Sequence, residues 1–194
     1  MTALMATAAA LCALALGMTL RNLAVYRRRW TGWRQVASGA EARPLVSVCI
    51  PARNEATNIE SCVRSVFKQT YAPIEVLVYD DQSTDATPEI LLRLAAEDAR
   101  LVRVPTEPLP PGWNGKQWGC DRMGRIAKGE WLLFTDADVR LDEACVARTL
   151  GEAVARGCDL LSTFPRQVLG TVGEALLVPM IHFVLFSYLP MDRM

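Results

Sequence analysis

Asp136 and Asp138 are separated by one small residue, Ala137, and follow directly on the apolar run Trp131-Leu132-Leu133-Phe134-Thr135. A buried strand that ends in paired carboxylates is costly unless a cation or a polar ligand sits at its tip. A hard divalent metal carrying phosphate oxygens suits such a pair; a turn with a helix N-cap is the bland alternative. Two further polar clusters raise the metal reading. Arg53-Asn54-Glu55 follows the apolar run Leu45–Ile50, and Asp80-Asp81-Gln82-Ser83-Thr84-Asp85 follows Ile74–Tyr79. Three clusters rich in acid at one edge would repel each other without a cation or hydrogen-bond donors between them. Neither a Gly-x-Gly-x-x-Gly turn after the first strand nor a Gly-x-x-x-x-Gly-Lys-Ser/Thr loop is present. Phosphate would therefore be held through the metal, and Mg²⁺ and Mn²⁺ commonly combine one or two carboxylates with substrate phosphates.

The elements that must position these residues alternate. Strands are expected at Leu45–Ile50, Ile74–Tyr79, Leu101–Val104, Trp131–Phe134 and Asp159–Ser162. Helices are expected from Ile59 to Phe67 with Asn58 as cap, from Thr87 to Ala99 with Pro88 in the first turn, from Gln117 to Lys128, and from Leu141 to Arg156. Such alternation predicts an α/β fold with a mainly parallel sheet and helices on both faces. Ligands in these sheets bind beyond the carboxyl ends of the strands, where all three clusters fall. Asp85 reads as a turn and cap residue.

With 194 residues the chain is long enough for one sizeable domain. Lysine plus arginine balance aspartate plus glutamate at 21 each, which argues against a nucleic-acid partner. Six cysteines without a Cys-x-x-Cys pair read as buried, reduced thiols of a cytosolic domain, and the single histidine, His182, leaves zinc without a ligand set. His182 stands alone on an apolar segment and reads as structural.

Residues 3–20 carry no charge and match the length of a bilayer-spanning helix. Arg21, Arg27, Arg28 and Arg29 follow, with Tyr26, Trp30 and Trp33 nearby. Positive charge after the span places the rest of the chain in the cytoplasm, at the inner (plasma) membrane. A cleaved signal peptide would carry its charge before the apolar stretch. The apolar segment 175–189 is short for a span and is expected to lie on the membrane or to pack against further chain. The organisation expected is a transmembrane anchor at 1–21, a juxtamembrane linker at 22–44, the α/β domain at 45–165, and an apolar helix at 166–194 that reads as cut short.

Pro51-Ala-Arg-Asn-Glu55, Tyr79-Asp-Asp-Gln-Ser-Thr-Asp85 and Phe134-Thr-Asp-Ala-Asp138 in this order resemble family 2 glycosyltransferases with a GT-A type fold, over roughly residues 45–165. Leu109-Pro-Pro-Gly-Trp-Asn-Gly-Lys-Gln-Trp118 is similar to a segment of the hopanoid-associated and ceramide glucosyltransferase-like members. The resemblance implies an inverting, metal-assisted transfer of sugar from a nucleotide-diphosphate sugar, commonly a UDP-sugar, to a lipid acceptor. Ala52, Asn54 and Glu55 would line the nucleotide pocket, Asp80 and Asp81 would bond base and ribose, and Lys116 would approach the phosphates or donor sugar. Asp136, Ala137 and Asp138 would meet the diphosphate, with Asp138 and Asp136 on Mg²⁺ or Mn²⁺. Lys116 also fits a solvated helix-end charge, and Trp113 and Trp118 fit core or membrane contacts as well as an acceptor platform. The family's downstream acidic base and Gln-x-x-Arg-Trp motif have no match before Met194. The catalytic base is therefore unassigned, and a nucleotide-binding module without catalysis is the alternative. An Asp-nucleophile phosphohydrolase would carry its Asp-x-Asp after the first strand, not the fourth.

Overall fold

In a computed structural model, residues 2–32 and 43–189 are described. The chain divides into two compact units, Ala37–Leu161 and Met1–Val36 with Ser162–Met194.

The first of these is built on strands whose side chains alternate between two apolar faces. β1 (Val46–Ala52) sends Val46, Val48, Ile50 and Ala52 to one face and Cys49 to the other. β2 (Ile74–Asp80) sends Ile74, Val76 and Val78 to the first face, and Leu77 and Tyr79 to the second. Strands buried on both faces belong to parallel sheets covered by helices. β3 (Leu101–Val104) and β4 (Trp131–Phe134) complete four parallel strands in the order β3-β2-β1-β4. α2 (Ile59–Phe67), α3 (Thr87–Glu97) and α5 (Cys145–Arg156) bury Ile59, Val63, Leu91, Leu94 and Val146 in the first-face core. α4 (Gly115–Ile126) packs Met123 and Trp118 on the second.

Several boundaries differ from expectation. β1 runs through Pro51, because β4 ends opposite Cys49 and only β2 still flanks β1 there. α4 begins two residues early, since the Asn114 side chain accepts from the Gln117 amide and caps the helix (2.8 Å). α5 begins at Cys145 and not at Leu141. Asp142 forms a turn first, and Gln69 accepts from the Val146 amide at the helix start (3.0 Å). Asn58 does not cap α2 with its side chain, which donates to Glu55 Oε2 instead (3.1 Å). Residues 159–162 form no strand: β4 is the last strand in the sheet order, and no partner supplies a ladder for them. All six cysteines are free; Cys49 and Cys62 are buried, whereas Cys12 is exposed.

The second unit holds α1 (Thr2–Gly32) and α6 (Val172–Tyr188). α1 continues through residues 22–32, where a linker was expected; residues 33–42 lie outside the described residues. Within α1, Ala3–Arg27 is long and apolar enough to cross a membrane, and none of its most apolar stretch is buried.

Candidate functional site

The carboxyl ends of β1, β2 and β4 open into a crevice of about 430 Å³, lined among others by Ala52, Glu55, Asp81, Lys116, Asp136, Ala137 and Asp138. Each strand delivers its part by a local device. After β4, the Thr135 amide donates to Cys49 O (3.1 Å) and Ala137 is buried. Asp136 and Asp138 flank this anchored residue and are both exposed. A larger side chain than alanine has no room at 137, where the residue belongs to the first-face core.

β1 and β2 loops are tied to each other. Asn54, at positive φ (55°), accepts from the Thr84 amide through Oδ1 (2.8 Å), and its own amide donates to Ser83 Oγ (2.8 Å). Asp80 accepts from the Ser83 amide (3.2 Å) and from Ser83 Oγ (2.5 Å). Asp85 accepts from Thr87 Oγ1 (2.6 Å), the Thr87 amide (3.0 Å) and the Ala56 amide (3.0 Å), which hold its carboxyl below the ordinary range. The structure thus brings Ala52, Glu55, Asp81, Lys116, Asp136, Ala137 and Asp138 to the crevice lining. Asn54 and Asp80 stand just behind it as loop ties.

Pro51, Arg53, Asn114 and Gly115 also line the crevice; the sequence put Arg53 in the first polar cluster but gave none of the four a role in the site. Gly115 is required by a close approach. A Cβ there would stand 1.9 Å from Asp81 Oδ2, so the Asp81 carboxylate abuts the first residue of α4. A carboxylate is favoured at this end of a helix by the unsatisfied amides. Arg53 donates to the same carboxylate oxygen (Nη1–Oδ2 3.3 Å). The Asn before a Gly at a helix start was the available sequence signal for this corner.

Lys116 Nζ donates to Asp136 Oδ1 at 2.6 Å, and the pairing holds the lysine above its ordinary pKa. The lining counts four carboxylates (Glu55, Asp81, Asp136, Asp138) against two cations (Arg53, Lys116), an excess of two negative charges. That donor set fits a divalent cation. All donors are hard oxygens, Asp136 already attracts an ammonium, and two charges remain to be balanced. Among the described residues no group of three or more acid, cysteine or histidine side chains forms a closed metal cage, so phosphate and water oxygens would complete the shell. Cys62 is the thiol behind this loop, donating to Asp136 O (3.6 Å); burial, aided by the Asp138 charge, pushes it up to about 12 and keeps it out of metal or nucleophile chemistry.

A larger cavity of about 720 Å³ lies between α2 and the loop 140–144. Its hydroxyls are consumed by internal bonds, Ser65 from the Leu141 amide and Thr70 to Glu143 O, and Arg64 is paired to Glu60 and Glu97. The smaller crevice, with Asp81, Asp136 and Asp138 in its lining, is the candidate site.

Comparison with known proteins identifies the family. The model of the family described as "Glycosyl transferase family 2" matches residues 47–182. Glycosyltransferase AglD of Haloferax volcanii is 35% identical over 128 residues, which is 63% of this chain and 19% of that protein. The 4,4'-diaponeurosporenoate glycosyltransferase of Staphylococcus haemolyticus is 29% identical over 132 residues, covering 68% and 34%. Among solved structures, the mannosyltransferase PcManGT from Pyrobaculum calidifontis, in complex with GDP-Man and Mn²⁺, aligns with TM-score 0.55 and 29% identity, over 76% of this chain and 43% of that one. Glucosyl-3-phosphoglycerate synthase from M. tuberculosis aligns with TM-score 0.51 and 28% identity, over 73% and 52%. The chain spans less than half of each of the two relatives compared by sequence and about half of each of the two solved structures.

Proposed function

The chain belongs to glycosyl transferase family 2, and from that membership we propose that the strand-end crevice binds a nucleotide-diphosphate sugar for transfer to a lipid-type acceptor at a membrane. The observation that carries the reading is the pair Asp136 and Asp138, exposed on either side of buried Ala137, with Lys116 already on Asp136. Asp138 and Asp136 would hold Mg²⁺ or Mn²⁺. The metal, when bound, supplies Lewis-acid stabilisation to the departing diphosphate. Lys116 adds a second positive charge at the same place and is released from Asp136 as the diphosphate arrives. Asp81, fixed between Arg53 and Gly115, and Glu55 orient the nucleoside end. Asn54 and Asp80 set the shape of both loops.

UDP-sugar is the donor expected. GDP-Man in the PcManGT structure makes guanosine the arm to compare. A lipid acceptor and an uncleaved anchor in the plasma membrane, with the α/β unit on the cytoplasmic side, are supported by the apolar stretch Ala3–Arg27 and by the arginines that follow it in sequence. The hopanoid-like segment around Trp113–Lys116 and a relative named for 4,4'-diaponeurosporenoate favour an apolar acceptor. The general base is assigned to no residue here.

Calorimetric titration of the chain with UDP-glucose and with GDP-mannose, each with and without Mn²⁺, tests the donor site. Mn²⁺-dependent binding is expected, weakened more than about 100-fold by Asp138→Ala, since losing a metal ligand exceeds the usual cost of losing its supporting shell. Binding that survives this substitution would sink the assignment.

A further inference from the structure

α6 presents a helix that water does not suit. Leu176, Leu177, Met180, Ile181, Phe183, Val184 and Tyr188 are each about half or more exposed, and they point to all sides rather than along one stripe. No charged residue occurs between Glu174 and Asp192. A helix apolar all round belongs in a core or in lipid, and this one is not covered by a core.

Its two ends are capped in opposite ways. The N-terminus is closed by a polar box of its own: Glu174 donates its amide to Thr171 Oγ1 (3.2 Å), and Glu174 Oε2 accepts from the Thr171 amide (3.0 Å) and the Gly170 amide (2.7 Å). These groups are exposed and carry a carboxylate, so this end suits water and headgroups. Pro179 removes the donor for the Ala175 carbonyl, which lies in the same first turn. At the C-terminus the carbonyls of Phe186 and Leu189 are met by one side chain from another helix. Asn22 Nδ2 donates to both, at 2.7 and 2.6 Å. Thr19 Oγ1 and Ser187 Oγ lie 3.0 Å apart beside them, and the Tyr26 and Phe186 rings meet edge to face at 6.0 Å. Asn22 and Ser187 are buried, at 0% and 3% exposure, between helices whose outer faces are apolar. In water the last carbonyls of a helix need no such partner; in hydrocarbon every one of them does.

Asn22 belongs to the stretch Ala3–Arg27, five residues before its end, about 7.5 Å along the helix. α6 has 17 residues, about 25 Å, less than the roughly 30 Å of a hydrocarbon core. We propose that α6 inserts into the same bilayer that α1 spans, with its Thr171–Glu174 end at the headgroups and its last turn docked on Thr19 and Asn22 within the stretch Ala3–Arg27, Tyr26 meeting it at the headgroup edge. The occupant of its exposed faces is lipid acyl chain. This rests on the reading of α1 as an anchor and adds a second, non-spanning membrane helix to it.

The full chain in phosphatidylcholine vesicles doped with a phosphatidylcholine bearing a diazirine midway along one acyl chain provides the test. After irradiation, peptide mapping locates the carbene adducts. Adducts on both α1 and residues 176–189 are expected. Adducts on α1 alone overturn the insertion of α6 and leave the anchor standing, whether a second copy of the chain or water covers α6. Adducts on neither defeat both. The variant Asn22→Leu keeps α1 apolar and removes both clamp bonds; adduct yield on residues 183–189 should fall about three- to tenfold while that on α1 holds, in line with the worth of one or two hydrogen bonds in a membrane. An unchanged yield on α6 in that variant refutes the docking by Asn22.

Discussion

The two units of this chain solve the burial problem in opposite senses. In the α/β unit the interior is apolar, with Val48, Ile50, Val76 and Val78 at or below 1% exposure, and the carboxylates stand in an open crevice. In the α1–α6 unit the apolar side chains stand outside, Leu14 at 68% and Leu176 at 69%, and the amide of Asn22 is the buried group. The same physics produces both when the surrounding solvent differs: apolar area leaves water, and polar groups without water find each other. Hydrogen-bond partners tell the same story. Crevice side chains bond within short loops or across adjacent strands, whereas the α1–α6 clamp joins residues more than 160 apart in sequence.

The strongest way to break this contrast is a matched pair of truncations. Leu77→Ala removes a side chain at 1% exposure from the second-face core and should cost about 2–5 kcal/mol of α/β-unit stability. Leu176→Ala removes the same atoms from α6 and should leave the unfolding of the α/β unit within about 0.5 kcal/mol of the parent. Denaturant titration of the vesicle-bound chain, followed through α/β-unit amide exchange, reads both. Equal losses would mean that α6 is part of the same cooperative core.

A smaller effect is expected where the crevice meets the core. Gly115→Ala drives a methyl into Asp81 Oδ2, and either the carboxylate or the start of α4 must shift. About 1–3 kcal/mol of strain is the usual size of such overpacking. Because Asp81 and Lys116 flank the glycine, nucleotide-sugar affinity should fall together with stability. Calorimetry and thermal melts on the same sample check this. A stable variant with unchanged affinity would show that the Asp81 position is not used by the donor.

The legible parts of this fold are those written in short-range pattern. Strands β1 to β4 read directly from apolar runs, and the polar followers of β1, β2 and β4 named the crevice, because a parallel sheet puts its strand ends on one edge. Asn54 and Asp80 were placed in the pocket by resemblance, and the Oδ1 atom of each is engaged by Thr84 or Ser83; a motif gives residue types and not which oxygens are already taken. Gly115 was invisible as a site residue because its role is an empty space. The strand expected at 159–162 has the right composition and no neighbour to pair with, and pairing is a tertiary fact. The Asn22 clamp could not be read at all: nothing local to either helix announces the other.

The smallest expected effect concerns charges that only water-facing surface can support. Glu60 on α2 bonds Arg93 of α3 (2.7 Å) and Arg64 one turn on (2.9 Å), and both arginines reach Glu97. The Arg93 bond first, then Arg64, lowers the Glu60 carboxyl from 4.5 to about 2. A folded-state value below the unfolded one gives stability that is present above pH 4.5 and is lost as pH falls toward 2. Glu60→Gln should therefore lower the stability of the α/β unit slightly at neutral pH and flatten its acid limb, so that the curves of variant and parent converge as pH falls toward 2. All four side chains are solvated, so the difference should vanish at about 1 M salt, where screening acts over roughly 3 Å. The clamp bonds between α1 and α6 are made by hydroxyls, an amide and carbonyls, which do not titrate in this range. An acid limb that persists undiminished in Glu60→Gln at low salt would place the pH sensitivity of the α/β unit elsewhere than in this α2–α3 network.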